Sequence, residues 1–347
     1  MKKYLLPVVM LFAAHHLSAQ TKYEKEAYSI NHFANAKVTN VLVETTGGNI
    51  TVVNDNSETR VEVYISPNNS RNKDLSKEEI KQKLEADYDM TISFANNRLT
   101  ATAKIKKKNN RDWDQVLNVS FKLFVPKDVS TELNTSGGNI SLSNLSGKQD
   151  FRTSGGNLMI DNLAGMIKGI TSGGSIHVQN SKNNIDLSTS GGNITAESND
   201  GTMKLSTSGG NLDLSELKGD IHATTSGGSI HGDHISGDLF AGTSGGSIGL
   251  KSISGSLEAN TSAGNIDVEI TALSKKVTLS NSAGNIYLQL PSNKGVDLRL
   301  SANRIKTDAL ANFKGTKENE RIDGTLNGGG VSVRANANGG DIHLSLK

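Results

Sequence analysis

The chain contains no cysteine. Disulfides and thiol chemistry are therefore excluded, and any fold must be held by its core and its hydrogen bonds alone. Aromatic residues make up only 4% of the 347 positions, which leaves few rings to stack on a sugar. A surplus of charge is also missing. Lys+Arg number 37 against 35 Asp+Glu, and Lys2 and Lys3 account for the difference. That balance argues against a nucleic-acid partner, which would favour a basic footprint. Beyond Tyr4–Ala14 no long apolar run occurs, so the mature chain is expected to have no transmembrane segment.

What stands at the start reads as a secretory signal over residues 1–20. Lys2 and Lys3 give the positive start, Tyr4–Ala14 the apolar stretch, and Leu17-Ser18-Ala19 a small residue before a cut ahead of Gln20. No cysteine follows to carry a lipid anchor. The expectation is export to the periplasm, the cell surface or the medium.

What is abundant is glycine, 36 residues, and its surplus is periodic. Thr135-Ser136-Gly137-Gly138-Asn139-Ile140 returns every 18 residues, with its first Gly at Gly137, Gly155, Gly173, Gly191, Gly209, Gly227 and Gly245. The eighth copy has Ala263 there. A ninth, Asn281–Ile286, follows a two-residue insertion. Weaker echoes lie at Thr45–Ile50 and Asn338–Ile342. Fixed self-similarity is the mark of stacked repeats.

Within a unit, apolar and polar residues alternate in two short runs, as half-buried strands do. Three columns point inward. The first runs from Ile140 through Leu158 and Ile176 to Ile266. The second runs from Leu142 through Ile160 to Val268, and the third from Gln149 through Ile167 to Leu257. The Thr of each motif forms a further column, and the Asn or Ser after the Gly pair an outer one. Such columns predict an all-β fold, a parallel β-solenoid of 18-residue coils about 4.8 Å apart. Eight or nine coils would extend on the order of 40 Å. A lone coil buries too few side chains to offset its ordering entropy, so coils must stack, and the end coils need covering.

Residues 21–134 are expected to supply an irregular N-terminal cap, rich in strands at Val38–Glu44, Ile50–Val53, Arg60–Ile65, Met90–Phe94, Leu99–Ile105 and Val116–Val125. Ser76-Lys77-Glu78-Glu79 is a capping box, with Leu75 and Ile80 as its staple, and predicts one short helix at about 76–87. Lys104, Lys106, Lys107, Lys108 and Arg111 form a basic segment read as a solvated hairpin tip. The regular array spans 135–290, and 291–347 reads as degenerate closing coils.

With its tandem Ser-Gly-Gly-Asn-Ile strands, its less regular entry region and its closing Leu326-Asn327-Gly328-Gly329-Gly330, the chain resembles the toast-rack, adhesin-like β-strand-repeat family of bacterial envelope and secreted proteins. The resemblance covers about residues 40–347. It implies the repeat fold and an exported protein, and it brings no catalytic residues.

Five kinds of chemistry merit a test. A calcium β-roll needs Gly-Gly-x-Gly-x-Asp with carboxylates in the turn, whereas here the Gly pair precedes Asn-Ile or Ser-Ile. His231, Asp233 and His234 lie together, with Asp213 and Glu216 one repeat earlier. That set could hold a transition metal, though outward positions are more often simply solvated. The outward series Asp150, Lys168, Asp186, Lys204, His222, Phe240 and Glu258 contains two carboxylates two repeats apart, about 9–10 Å. Inverting glycosidases use a comparable separation, but Lys168 intervenes, and alternating charge reads as mutual neutralisation. Phe240 and Tyr287 are the outward aromatics that could meet a sugar ring. The Gly-rich turns precede no helix and so do not form a phosphate cradle.

The expected function is thus an exported, non-enzymatic, adhesin-like protein with no catalytic, cofactor or metal residues, binding a glycan, a matrix protein or an envelope component. A polysaccharide-cleaving β-helix enzyme and a structural or stress-associated envelope component are the alternatives.

Overall fold

A computed structural model describes residues 26–68, 75–106 and 116–347. The signal-like stretch and the basic positions Lys107, Lys108 and Arg111 lie outside the described residues. The described chain is all-β, with 27 strands in one connected sheet and a single helix, Lys77–Asp87.

Two series of parallel pairings run through the repeats. In the first, short strands align Ile140 with Leu158, Leu158 with Ile176, and so on through Ile194, Leu212, Ile230 and Ile248 to Ile266. In the second, longer strands align Gln149 with Ile167, Ile185, Met203, Ile221, Leu239 and Leu257. Each partner is one sequence repeat away. The two-residue insertion is absorbed where Ile266 pairs with Ile286. The three inward columns are buried along their length, including Ile140, Leu158, Ile194 and Met203. Gln149 is the polar member of its column and is completely buried. Its side chain accepts from Thr131 Oγ1 (2.7 Å) and donates to the Val129 carbonyl (2.8 Å).

The repeated motif does three separate jobs. Its Thr points inward and bridges two turns. Thr207 Oγ1 donates to the carbonyl of Gly192 at 2.8 Å and accepts from the N–H of Gly210 at 3.2 Å. The same pair of bonds recurs at Thr153, Thr171, Thr189, Thr225 and Thr243. Its Asn or Ser links neighbours on the outside. Asn139 Oδ1 accepts the backbone N–H of Asn157, Asn157 that of Ser175, and the chain of bonds continues to Asp341. Its second Gly permits close approach. A methyl on Gly192 would run into the backbone carbonyl of Gly174, whereas one on Gly191 would meet its nearest atom at 3.6 Å, ordinary contact.

Both ends double back. Asn40–Thr45 lies between Arg98–Ile105 and Ser130–Thr135, and Ile50–Val53 lies between Leu117–Phe124 and Ile140–Ser143. At the other end Val331–Leu346, last in sequence, is inserted between Ile266–Leu290 and Val296–Thr307. Antiparallel hairpins then cover the edges: Tyr88–Ala95 on Arg98–Ile105, Arg60–Pro67 on Leu117–Phe124, and Arg321–Leu326 on Val296–Thr307. The last parallel strands are covered in this way rather than left open.

The helix begins where the capping box places it. Ser76 Oγ accepts the Glu79 N–H, and the Glu79 carboxylate accepts the Ser76 N–H at 2.8 Å. Ile80 and Leu84 are buried on its inner face, and Leu75 packs against the same core. On Arg60–Pro67 the buried Glu62 accepts from Arg60 Nε and Tyr64 Oη, both at 2.8 Å.

Two stability outcomes follow from these contacts. Gly192→Ala should cost about 1–3 kcal/mol through steric conflict with a backbone atom that cannot yield, while Gly191→Ala should be near neutral. Equal melting shifts for the two variants would show that close approach does not set the motif. For Glu62, burial alone would raise the carboxyl pKa, but the Arg60 and Tyr64 hydrogen bonds and the Arg60 charge hold it below its ordinary 4.5. A lowered folded pKa stabilises above the unfolded value and is lost as pH falls through the folded one. Glu62→Gln should therefore lower stability at neutral pH by about 1–3 kcal/mol and flatten the melting-temperature profile below about pH 4.5, as a thermal scan across pH would register.

Candidate functional site

Inward positions are occupied by packing, so chemistry must be sought on the outward ones. Two outward columns exist because successive side chains of a strand face opposite sides. On the longer strands the register sets Asp150, Lys168, Asp186, Lys204, His222, Phe240 and Glu258 side by side. On the shorter strands it sets Met159, His177, Thr195, Asp213, His231, Gly249, Asp267, Tyr287 and His343.

The first column does not neutralise itself strand to strand as its alternating signs suggest. Asp150 pairs with Arg152 on its own strand at 3.5 Å. Farther along, Lys276 reaches Glu258 at 3.1 Å, and Lys275 reaches Asp238 at 2.7 Å. The Lys275 hydrogen bond, with a second from Ser256, holds the Asp238 carboxyl below its usual range. Asp150 and Asp186 are each in register with Lys168, which stands between them. Two carboxylates facing one scissile bond need an open space between them; here a lysine strand fills that position.

Phe240 does pack on a neighbouring side chain. Its ring lies 4.4 Å from that of His222 at an interplanar angle of 9°, and Gly242 leaves room beside it. The stack runs along the column, so the face between the two rings is closed to a sugar. Tyr287, 37% exposed, stacks on His343 at 4.9 Å.

The His patch resolves into two pairs on different rows. His231 Nδ1 is 3.5 Å from Asp213, and His234 Nδ1 is 3.0 Å from Asp233. Asp233 is set below the ordinary carboxyl range: burial is the largest single influence and raises it, but the Ser252 hydrogen bond, the His234 charge and the His234 hydrogen bonds together outweigh that. Glu216 accepts from Ser198 Oγ at 2.8 Å instead of turning to either His. Glu216 and His234 occupy a left-handed turn position, both at φ 54°, in a column that begins Asn144, Asn162, Asn180. No group of three or more His, Asp or Glu is placed to hold a metal among the described residues. A notch of about 370 Å³ opens beside His231, where Gly249 takes an outward place and Gly232 an inward one.

A broader concavity, about 860 Å³, lies where the N-terminal strands meet the repeats. Sequence reasoning did not assemble it, because Arg98 and Glu132 come together only through the pairing of Asn40–Thr45 with strands on either side. Its charged lining is Arg98, Lys148 and Arg152 with Glu132 and Asp150, beside the amides of Asn40, Asn96 and Asn134. Arg98 and Glu132 pair at 3.4 Å. Nearby, Lys104 of the basic segment is engaged by Glu44.

Zinc or nickel should leave the melting temperature of the mature protein unchanged, because a binder of the native state raises it only in proportion to its affinity and two separated His–Asp pairs make a poor tetrahedral site. A saturable rise, abolished by His231→Ala, is the result that would reverse this.

No curated protein matches the chain. Among solved structures, one described as a "putative cell adhesion protein" from Clostridium sporogenes aligns over 92% of this chain and 98% of its own, at 12% identity and a TM-score of 0.22. A "putative adhesin" from Bacteroides fragilis aligns over 94% and 99%, at 10% identity and a TM-score of 0.25. Neither superposition is close enough to transfer a function. The family comparison is specific: residues 180–345 match the family model described as Toastrack DUF4097, a match that takes in most of the tandem repeats and the closing Leu326–Gly330 turn.

Proposed function

We propose that the chain is an exported, non-enzymatic, adhesin-like β-repeat protein that recognises a glycan, a matrix protein or an envelope component. In this reading it is a parallel β-solenoid of 18-residue coils, with residues 21–134 and 291–347 closing a regular section at 135–290, after removal of residues 1–20. The observation that carries the reading is the contrast between the inner and outer columns. Inside, aliphatic residues predominate in every column; outside, each strand presents a side chain different from its neighbour's at a spacing fixed by the ladder. A surface of that kind holds many groups in set geometry and has no recurrent nucleophile–base pair.

Two further facts support it. No described helix is long and apolar enough to cross a membrane. The carboxylates that invited a glycosidase reading, Asp150 and Asp186, are separated by Lys168, and Asp150 is tied to Arg152.

Binding should come from many contacts along the outward face. Lys168→Ala or Phe240→Ala should each weaken it a few-fold, and removal of two whole 18-residue units should weaken it far more while leaving a folded, shorter protein. The measurement is binding of the mature protein to glycans, matrix proteins and envelope fractions, with product analysis of each bound polysaccharide. Shortened sugar chains, lost on replacing one or two carboxylates, would replace recognition with catalysis.

A further inference from the structure

A hairpin laid on a ladder covers the strand beneath it and presents an edge of its own. Among the described residues the sheet ends on three outer strands, Ser29–His32, Tyr88–Ala95 and Phe313–Lys317, each paired on one side only. Natural sheets blunt such edges by shortness, lysine, irregular backbone or an inward-pointing charge. Ser29–His32 has only four residues. Phe313–Lys317 has five, carries Lys314 and Lys317, and bends at Gly315, φ 148°. Lys317 is paired with buried Ile322 and so belongs to the inward face. Tyr88–Ala95 has none of these devices. It is eight residues long with no Lys, Pro or Gly, and it pairs with Arg98–Ile105 without a shift of register. Its one charge, Asp89, is answered by Lys106 at 3.8 Å.

The turn fixes which backbone groups are left over. Asn96 and Asn97, at φ 49° and 59°, make the two-residue loop of this hairpin, as a type I′ turn requires. Beside such a loop the flanking residues, Ala95 and Arg98, exchange both their hydrogen bonds, and every second residue then turns its N–H and C=O the other way. Met90, Ile92 and Phe94 therefore aim theirs away from the hairpin, where no described residue bonds to them. Their side chains are on the inward face, partly buried against the core, while Thr91, Ser93 and Ala95 are exposed on the other. The edge is a row of open donors and acceptors between a half-covered apolar face and a nearly uncharged polar one.

We propose that a second copy of this chain covers this edge, with Tyr88–Ala95 pairing antiparallel to its own counterpart about a twofold axis. Side chains alternate with a period of two, so faces match only in alternate registers. Two of these use most of the strand. One sets Ile92 opposite Ile92, Met90 opposite Phe94 and Thr91 opposite Ser93. The other sets Thr91 opposite Thr91 and Met90 opposite Ile92. In both, open backbone groups meet open backbone groups and apolar side chains meet apolar ones. Asp89 falls opposite Ala95 or Ser93, never opposite itself, so the pairing brings no like charges together. Phe313–Lys317 of a second copy is a poorer occupant, because Lys317 would set an ammonium against the apolar face. The contact is isologous and closes at two chains. It goes beyond the recognition reading, which would stand on a single chain. Ser93, Ala95 and Asn96 line the 860 Å³ concavity, so the dimer would hold two such concavities beside its axis, each bordered by Asp89 of the second copy. A repetitive ligand spanning both would gain avidity with no new contact.

The test is the mass of the mature protein in solution across concentration, by light scattering or sedimentation. A reversible rise from one chain to two is expected. Thr91→Lys combined with Ser93→Lys puts ammonium groups face to face in either register and should weaken the dimer at least tenfold. Thr91→Glu combined with Ser93→Glu should do the same through carboxylates. An equimolar mixture of the two variants should restore a dimer, which a folding defect would not allow. These positions are exposed, so both variants should melt close to the parent. Thr316→Lys, on the C-terminal edge, should leave the dimer intact. A single chain mass at every concentration the protein tolerates, a dimer untouched by the lysine pair, a mixture that stays monomeric, or a dimer lost with Thr316→Lys overturns the proposal. Assemblies that grow beyond two chains overturn the isologous closure. None of these outcomes touches the recognition reading, which is measured by ligand binding.

Discussion

The close backbone approach at the second Gly of each motif is the constraint on which the rest of the structure depends. From Gly48 through Gly138, Gly156, Gly174 and onward to Gly340, each of these residues sits so near the carbonyl of its counterpart in the adjacent turn that no side chain would fit. That contact holds neighbouring turns at ladder distance and makes the other motif roles possible. Thr can reach the Gly carbonyl of one turn and the Gly N–H of the next only because both lie at the corner. Asn can accept the N–H of its counterpart only at the same spacing. Where the first Gly becomes Ala, the second adopts positive φ, 109° at Gly264 and 127° at Gly284. The turn changes its local conformation and keeps its approach.

A second constraint follows from the first. Repeats this alike could pair one unit out of step, since the inward aliphatic columns would accept the error. Certain buried neighbours would not. Phe151 lies against Gly169, where a side chain would collide with its ring. Buried Ser181 donates its N–H to the side chain of buried Asn199 at 2.8 Å, and Asn199 in turn donates to the Val178 carbonyl. Gln149 is satisfied by Thr131, Val129 and Ser146. Gly232 gives its inward space to Leu250 and Ile235. A slipped register would leave a buried amide unpaired or a phenyl ring against a leucine, and each such fault is costly. Departures from the consensus therefore specify the alignment that the consensus alone leaves degenerate.

This division explains what the sequence made legible. The inward columns, the helix start at Ser76 and the edges of Ile50–Val53 were readable because local pattern and period determine them. The requirement at the second Gly was readable from Ala263 and Ala283, which the chain tolerates only at the first. The left-handed column was in view as Asn144, Asn162 and Asn180 at the repeat spacing, since Asn favours that conformation. It was hidden later by Glu216 and His234, whose chemistry suggested a metal when their backbone position was the relevant fact. The doubling back at both ends was not readable. Placing Asn40–Thr45 between two later strands, or the final strand inside the closing turns, is a choice among pairings of similar hydrophobic pattern, and only the whole assembly decides it. The N-terminal concavity went unseen for the same reason.

The same division bears on where recognition can reside. An outward side chain on the array has neighbours one strand away on each side, and these can consume it. His222 and Phe240 cover each other's faces, Asp238 is taken by Lys275, and Asp213 by His231. A regular ladder tends to satisfy its own surface because like positions are always adjacent. At the N-terminal junction that regularity fails: a hairpin from outside the repeat period forms the last part of the ladder, and residues from five strands of unrelated sequence converge. Polar groups meet there in combinations that no repeat produces. Loops and irregular junctions carried on a rigid scaffold are where binding groups can diverge without disturbing the core. In this chain the repeats provide the rigidity, and the part that breaks the period provides the freedom to form a site.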